Sequence, residues 1–275
     1  MAVFFGGLTI LDGWFDGSAT ASEVDDKAVQ GTLLTALVAV VLALAVIEFS
    51  RLAAAKGLKV LVLPCVAGVV LVSTTWYWPQ VLDLAAHTYV LLAVAFFLLW
   101  AIMAHYRRQG IEGVMADCGA SCLAVVYLGV LGAFLLAIRI EIGLWEALML
   151  MFVVKFSDIG AYTFGKLFGK HKFSPRVSPG KTWEGLAGAM AAATAVSFAF
   201  AVAFGTMAPW QAVLFGPAFA FIGQMGDLVE SMMKRDAQQK DSSNRVPGFG
   251  GILDVIDSPL VAAPFGYLFF RIVVL

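Results

Sequence analysis

The chain has 275 residues, of which 61% are hydrophobic and only 13% charged, where soluble domains carry about 25% charged residues. That composition excludes a soluble globular protein. The net charge of −1 averages over two separate surfaces and gives no sign of a nucleic-acid partner; none is expected.

Several apolar runs are free of charge over the ~17–25 residues that a helix needs to cross a ~30 Å hydrocarbon core. A closed barrel is the other way to satisfy backbone groups in lipid, but its ~10-residue segments of alternating polarity are absent from the sequence. The fold expected is therefore all-α and polytopic, in one membrane domain spanning 1–275, with residues 1–142 as scaffold and residues 143–275 as the catalytic half.

In chain order, the opening "MAVFFGGLTILDGWF" lacks the basic region of a signal peptide, and Asp12 interrupts it before a bilayer is crossed. It reads as a short interfacial stub, the remainder of a longer helix. About eight transmembrane helices follow, near 33–49, 58–77, 85–104, 119–138, 143–164, 184–206, 209–230 and 252–273. Alternate loops hold fourteen of the eighteen basic residues, among them Arg51, Lys56, Arg107, Arg108, Lys166, Lys172, Lys234 and Arg235. Lys27, Arg139 and Arg271 fall on the other side, and Lys155 lies inside a span. Because basic residues stay cytoplasmic, the rich loops are placed in the cytoplasm and both termini outside, in a cell inner or plasma membrane. Cys65, Cys118 and Cys122 are an odd number without CxxC spacing, which argues against disulfides and zinc.

The two halves differ in character. Spans one to four carry almost no ionisable residue at membrane depth, whereas Lys155, Asp158, Glu184, Asp227, Glu230, Asp254 and Asp257 all follow residue 150. Such a group costs about 2.5–3.5 kcal/mol at a helix centre, so it faces protein or water and marks function. Within "KFSDIGAYTFGKLFGKHKFSPRVSPGKTWEG", Lys155 and Asp158 are spaced for an ion pair, and Asp158 and Tyr162 share a side of the helix. The loop after them supplies Ser178 and Lys181, and Thr182 is placed to cap the next helix near Glu184. A helix N-terminus flanked by Lys181 suits an anion. "GKT" is not a P-loop, since Pro175 stands where the first glycine is required and no strand of a soluble domain precedes it.

The second cluster, "GDLVESMMKRDAQQKDSSNRVPGFGGILDVID", packs five Asp, one Glu, two Lys and two Arg into an apolar region. Asp227, Ser231 and Lys234 fall on one stripe of a helix. A turn rich in glycine follows, and Asp254 and Asp257 then share a face of the last helix. Carboxylates gathered in low dielectric repel one another, and oxygen ligands without His or Cys suit Mg²⁺, typically held on one or two carboxylates plus substrate phosphates. The interleaved Lys234, Arg235, Lys240 and Arg245 are placed to hold phosphate oxygens.

"SMMKRDAQQKDSSNRVPGFGGILDVID", with Ser231, Lys234, Arg235, Lys240, Asp241, Pro247, Gly248, Gly250, Gly251, Asp254 and Asp257 in place, resembles the signature of the phosphatidate cytidylyltransferases, or CDP-diglyceride synthases. The upstream "DIGAYTFGKLFGKHKFSPRVSPGKTWEG" is also similar to that family, so the likeness covers roughly residues 150–260. Two positions depart from it: Phe249 replaces a histidine and Val255 an arginine. The N-terminus is also shorter than the resemblance leads one to expect, as if one helix were missing.

The resemblance implies transfer of CMP from CTP to phosphatidic acid, with CDP-diacylglycerol and pyrophosphate as products. It implies Mg²⁺ on Asp227 and Asp254 with Ser231 and Asp257 assisting, and leaves a second metal ion open. Lys234, Arg235 and Lys181 are then expected on the triphosphate and Lys155 on the lipid phosphate. Asp158, Tyr162, Ser178, Thr182, Lys240, Asp241, Gly250 and Gly251 complete the substrate-binding set. CTP, phosphatidic acid and membrane lipid are the expected partners, with a homodimer left open. The alternatives are another CTP- or lipid-phosphate-using membrane enzyme of the polyprenol kinase type, or an impaired relative that binds lipid or nucleotide. A transferase consuming CDP-diacylglycerol lacks its DGxxAR motif here.

Overall fold

A computed structural model of the chain describes residues 2–19, 29–82, 84–239 and 251–274. Its helices are α1 (Ala2–Ala19), α2 (Thr32–Ala55), α3 (Val62–Ser73), α4 (Trp78–Val81), α5 (Ala86–Gln109), α6 (Val114–Ile142), α7 (Leu144–Phe168), α8 (Trp183–Phe204), α9 (Pro209–Asp236) and α10 (Ile252–Val274). Seven of them (α2 and α5 to α10) are long and apolar enough to cross a membrane. Several run past the expected ends, carrying Arg51, Arg107, Arg108, Lys166, Lys234 and Arg235. Apolarity reports the hydrocarbon thickness, whereas a helix continues into water as long as its backbone bonds close.

The expected span 58–77 contains only the 12 helical residues of α3, flanked by irregular backbone at 58–61 and turns at 74–77. Twelve residues rise about 18 Å, short of the bilayer core. The non-helical backbone before α3 is satisfied from α6: Lys59 N–H donates to Asp117 Oδ1 at 2.8 Å and Leu61 N–H to Ser121 Oγ at 3.4 Å. Irregular backbone at membrane depth is tolerated where protein supplies such partners.

The N-terminal segment, expected to be an interfacial stub, is an 18-residue helix packed on the body. Asp12 and Asp16, one turn apart, accept from Leu34 N–H at 2.9 Å and Gly31 N–H at 2.6 Å, satisfying free donors at the start of α2. Both also pair with Arg139, at 2.9 Å each. Arg139, expected in an outer loop, is therefore 5% exposed and sits on a π-type turn near the end of α6.

Glycines and small residues bring the second-half helices into backbone contact, as expected of membrane helix packing. A Cβ on Gly160 of α7 would lie 2.5 Å from Gly188 O of α8, and one on Gly216 of α9 would lie within 2.4 Å of Thr194 Cα of α8. A Cβ on Gly226 of α9 would meet Ser258 Cα of α10 at 2.9 Å. Two apolar cores result. One joins α2, α3, α6 and α10 around Leu42, Val69, Leu128 and Leu260. The other joins α7, α8, α9 and α10 around Leu150, Ala193, Phe215 and Phe270. Between α7 and α8 the chain forms an antiparallel hairpin, β1 (Lys172–Ser174) with β2 (Ser178–Thr182), pairing Lys172 with Thr182 and Ser174 with Ser178. Glu184 closes its base, accepting from the Lys170 and His171 backbone N–H groups and meeting His171 Nδ1 at 2.6 Å.

Candidate active site

The close approach at Gly226 sets the site. Asp227 and Glu230 are adjacent to it along α9, and Asp257 faces them from α10. The three offer carboxylate oxygens that all lie within 4.8 Å of one another, with Glu230 and Asp257 buried. Asp227 Oδ2 pairs with Lys181 Nζ at 2.9 Å, and its Oδ1 accepts from Ser231 Oγ at 3.2 Å. Asp257 Oδ1 accepts from Ser258 N–H at 2.6 Å. Glu230 Oε2 accepts from Lys234 Nζ at 2.8 Å, while its buried Oε1 has no hydrogen-bond partner among the described residues.

Asp254 shares Lys234 with Glu230 at the start of α10. Its Oδ1 takes Lys234 Nζ, and its Oδ2 accepts from Gly251 N–H at 2.6 Å. The carboxylate thus caps the start of α10 and holds the lysine that also holds Glu230. The acid standing beside Asp227 and Asp257 is Glu230, three residues after Asp227 and so on the same helical side.

A cavity adjoins the cluster under the hairpin, lined by Asp158, Tyr162, Ser178, Lys181, Thr182 and Asp227. Its volume is about 370 Å³, within the ~300–1,000 Å³ typical of small-molecule sites. Thr182 Oγ1 caps α8, accepting from Gly185 N–H at 3.1 Å. Lys181 Nζ donates to Gln224 O at 2.9 Å besides pairing with Asp227, so strand β2 is tied to α9. Arg235 Nε donates to Val177 O at 3.2 Å, tying the hairpin turn to the end of α9. Lys155 lies 3.5 Å from Asp158, which accepts from Gln224 Nε2 at 3.3 Å. Lys240, Asp241 and Gly250, with Pro247, Gly248 and Phe249, lie outside the described residues.

Three contributors escaped the sequence reading as site residues. Glu230 stood among the intramembrane acids, and its i, i+3 spacing from Asp227 was the available signal. Gln224, three residues before Asp227, bridges the two clusters by the same spacing. Tyr127 comes from α6 in the first half: it is buried, its hydroxyl has no hydrogen-bond partner among the described residues, and it lies within electrostatic reach of Asp257, Glu230 and Asp227. That long-range approach leaves no local pattern.

Three acids and two lysines thus meet within an apolar helix bundle, donor types that a hard cation and phosphate oxygens use. The sequence profile of the cytidylyltransferase family matches residues 28–273, nearly the whole chain. The chain belongs to that family.

Among relatives of this cytidylyltransferase-family chain, the phosphatidate cytidylyltransferase of Chlamydia pneumoniae is 34% identical over 190 residues, covering 64% of this chain and 61% of that protein. That of Mycobacterium leprae is 34% identical over 165 residues, 58% of this chain and 53% of its own length. That of Staphylococcus aureus (strain COL) is 35% identical over 216 residues, 78% of this chain and 76% of its own. The chain thus spans about half to three fifths of the first two relatives and about three quarters of the third.

Proposed function

We propose that this protein transfers CMP from CTP to phosphatidate, releasing pyrophosphate and forming CDP-diacylglycerol, at a site facing the cytoplasm. The observation that carries the reading is the convergence of Asp227, Glu230 and Asp257 within 4.8 Å, flanked by Lys181 and Lys234, beside a cavity that Asp158, Lys166 and Lys181 help to line. The relatives named as phosphatidate cytidylyltransferases support the same chemistry. The basic loops gathered at that end support its cytoplasmic placement.

The oxygen-only donor set fits Mg²⁺, and the buried Glu230 Oε1, without a partner among the described residues, is the atom such an ion would satisfy. Asp227, Glu230 and Asp257 would hold it, and when bound it supplies positive charge against the triphosphate and the departing pyrophosphate.

The chain's own groups perform the rest. A phosphate oxygen of phosphatidate attacks the α-phosphorus of CTP. The bond from that phosphorus to the oxygen bridging to the β-phosphorus breaks, and pyrophosphate leaves with the electron pair. The nucleophile is already ionised, so no general base is required. Lys181, carried on the hairpin, exchanges part of its hold on Asp227 for the triphosphate. Lys234 stays fixed between Glu230 and Asp254 and opposes charge developing on the phosphates. Lys155, next to Asp158, receives the lipid phosphate. The hairpin cavity takes the nucleotide.

The test is purified protein in lipid nanodiscs with CTP and phosphatidate. CDP-diacylglycerol and pyrophosphate are expected in equal amounts, and only with Mg²⁺ present. Pyrophosphate without CDP-lipid, or neither product, would reject the reading.

A further inference from the structure

Helix α6 brings Tyr127 from the first half of the chain to the carboxylate cluster. The residue is 6% exposed, and its hydroxyl is buried without a hydrogen-bond partner among the described residues, within electrostatic reach of Asp257, Glu230 and Asp227. Tyr127 packs in the core that also takes in Val229 and Ile256, the chain neighbours of Glu230 and Asp257. A phenylalanine would fill the same space, whereas a buried hydroxyl left unpaired is destabilising. Glu230 Oε1, buried in the same neighbourhood, is likewise without a partner among the described residues. A donor and an acceptor are thus both kept from water beside the place where the three carboxylates meet.

Tyr127 sits in a π-helical stretch of α6, Val125–Val130, a wider turn that frequently marks functional sites. The residues just after it are pinned to the scaffold. A Cβ on Gly129 would lie 3.3 Å from Val69 Cα of α3, and one on Gly132 would lie 2.6 Å from Leu42 Cδ1 of α2. The tyrosine is therefore fixed relative to α2 and α3, while α9 and α10 supply the acids.

Building on the proposed CMP transfer, in which Asp227, Glu230 and Asp257 hold a divalent cation, we infer that Tyr127 is a positioning residue of that trio. When the cation is bound, the tyrosine hydroxyl hydrogen-bonds to Glu230 or Asp257, directly or through one water, and keeps the carboxylates at ion-holding spacing. A hydroxyl has one proton to donate and lone pairs that accept, so it can serve a carboxylate oxygen and a water together. Groups that orient a cation's ligands in this way typically change its affinity about 10–100-fold when removed. The first half of the chain then takes part in the site through one side chain.

The experiment compares the full chain in nanodiscs with its Tyr127→Phe variant, with Mn²⁺ binding to the substrate-free protein followed by electron paramagnetic resonance. The Kd for Mn²⁺ is expected to rise roughly tenfold or more, and the Mg²⁺ concentration for half-maximal CMP transfer to rise with it. At saturating Mg²⁺, KM for CTP and KM for phosphatidate should stay within twofold of the parent. The metal-free variant should melt no lower than the parent, because the hydroxyl it loses has no partner there. Tyr89→Phe, which removes a buried hydroxyl from α5, should bind Mn²⁺ as the parent does. A Kd for Tyr127→Phe within twofold of the parent, a metal-free variant that is unfolded or melts clearly lower, or a parent that binds no Mn²⁺ would overturn the assignment. An active parent whose Mn²⁺ affinity Tyr127→Phe leaves unmoved sinks the role of Tyr127 alone, whereas weakened Mn²⁺ binding in the variant with no CDP-lipid from the parent sinks the proposed reaction and leaves that role standing.

Discussion

Replacing Gly226 with alanine probes the contact that assembles the site. The new Cβ would lie 2.9 Å from Ser258 Cα, 3.0 Å from Asp257 O and 3.1 Å from Val261 Cβ. Carbon atoms pack at about 3.5–4.0 Å, and two of these three neighbours are backbone atoms that no rotamer change can move. Helix α10 must therefore retreat from α9 by roughly 0.5–1 Å, at the level where Asp257 meets Asp227 and Glu230. Overpacking of this kind costs about 1–3 kcal/mol of stability. A misplacement of about 1 Å in a reacting constellation costs on the order of a hundredfold in rate. The expectation for Gly226→Ala is a folded protein, monodisperse by size exclusion, whose CMP transfer falls by roughly that hundredfold. Gly119→Ala is the control: that Cβ meets nothing within 4 Å, and its activity should match the parent. If Gly226→Ala works within twofold of the parent, the spacing of the three carboxylates is not what this contact sets, and the reasoning fails.

Glu230→Gln keeps the shape of the side chain but removes its charge; the Mg²⁺ concentration for half-maximal transfer should rise at least tenfold, and an unchanged titration would remove Glu230 from the ion's ligands. Arg139→Ala strands Asp12 and Asp16 without their cation, which should cost about 3–5 kcal/mol and expose α1 to proteolysis. Adding Asp12→Asn and Asp16→Asn should restore much of the thermal stability, and failure of that rescue would mean that the ion pair is not what fixes α1. Lys181→Met cuts the tie from β2 to Asp227 and Gln224; KM for CTP should rise while KM for phosphatidate stays within twofold, and the opposite pattern would move Lys181 from the nucleotide to the lipid.

Residues from 85 onward show which features a sequence carries locally. Hydrocarbon thickness is written in the length of each apolar run, so α5 to α10 were legible apart from their ends. The acidic cluster was legible because Asp158, Asp227 and Asp257 are costly at membrane depth. What stayed hidden depends on distant partners. Helix α3 starts late because Asp117 and Ser121 satisfy the backbone before it. The α1 segment looked too interrupted to cross a bilayer, and its interrupting Asp12 is the group that binds Arg139 and the start of α2. Glu230 joins Asp227 and Asp257 from one turn along α9, while Asp254 bonds Gly251 N–H and Lys234 at the start of α10. The β1–β2 hairpin was read as loop because its Ser-Pro and Gly-Lys steps carry no strand alternation.

The central claim is that the cluster of α9 and α10 moves the α-phosphoryl group of CTP, with its nucleoside, onto a lipid phosphate. Parallel reactions with CTP labelled at the α- or the γ-phosphorus, each with phosphatidate and Mg²⁺, test it most directly. The account predicts that label enters lipid from the α-position alone, with the γ-label recovered as pyrophosphate. Label entering lipid from the γ-position, or from neither, would contradict it.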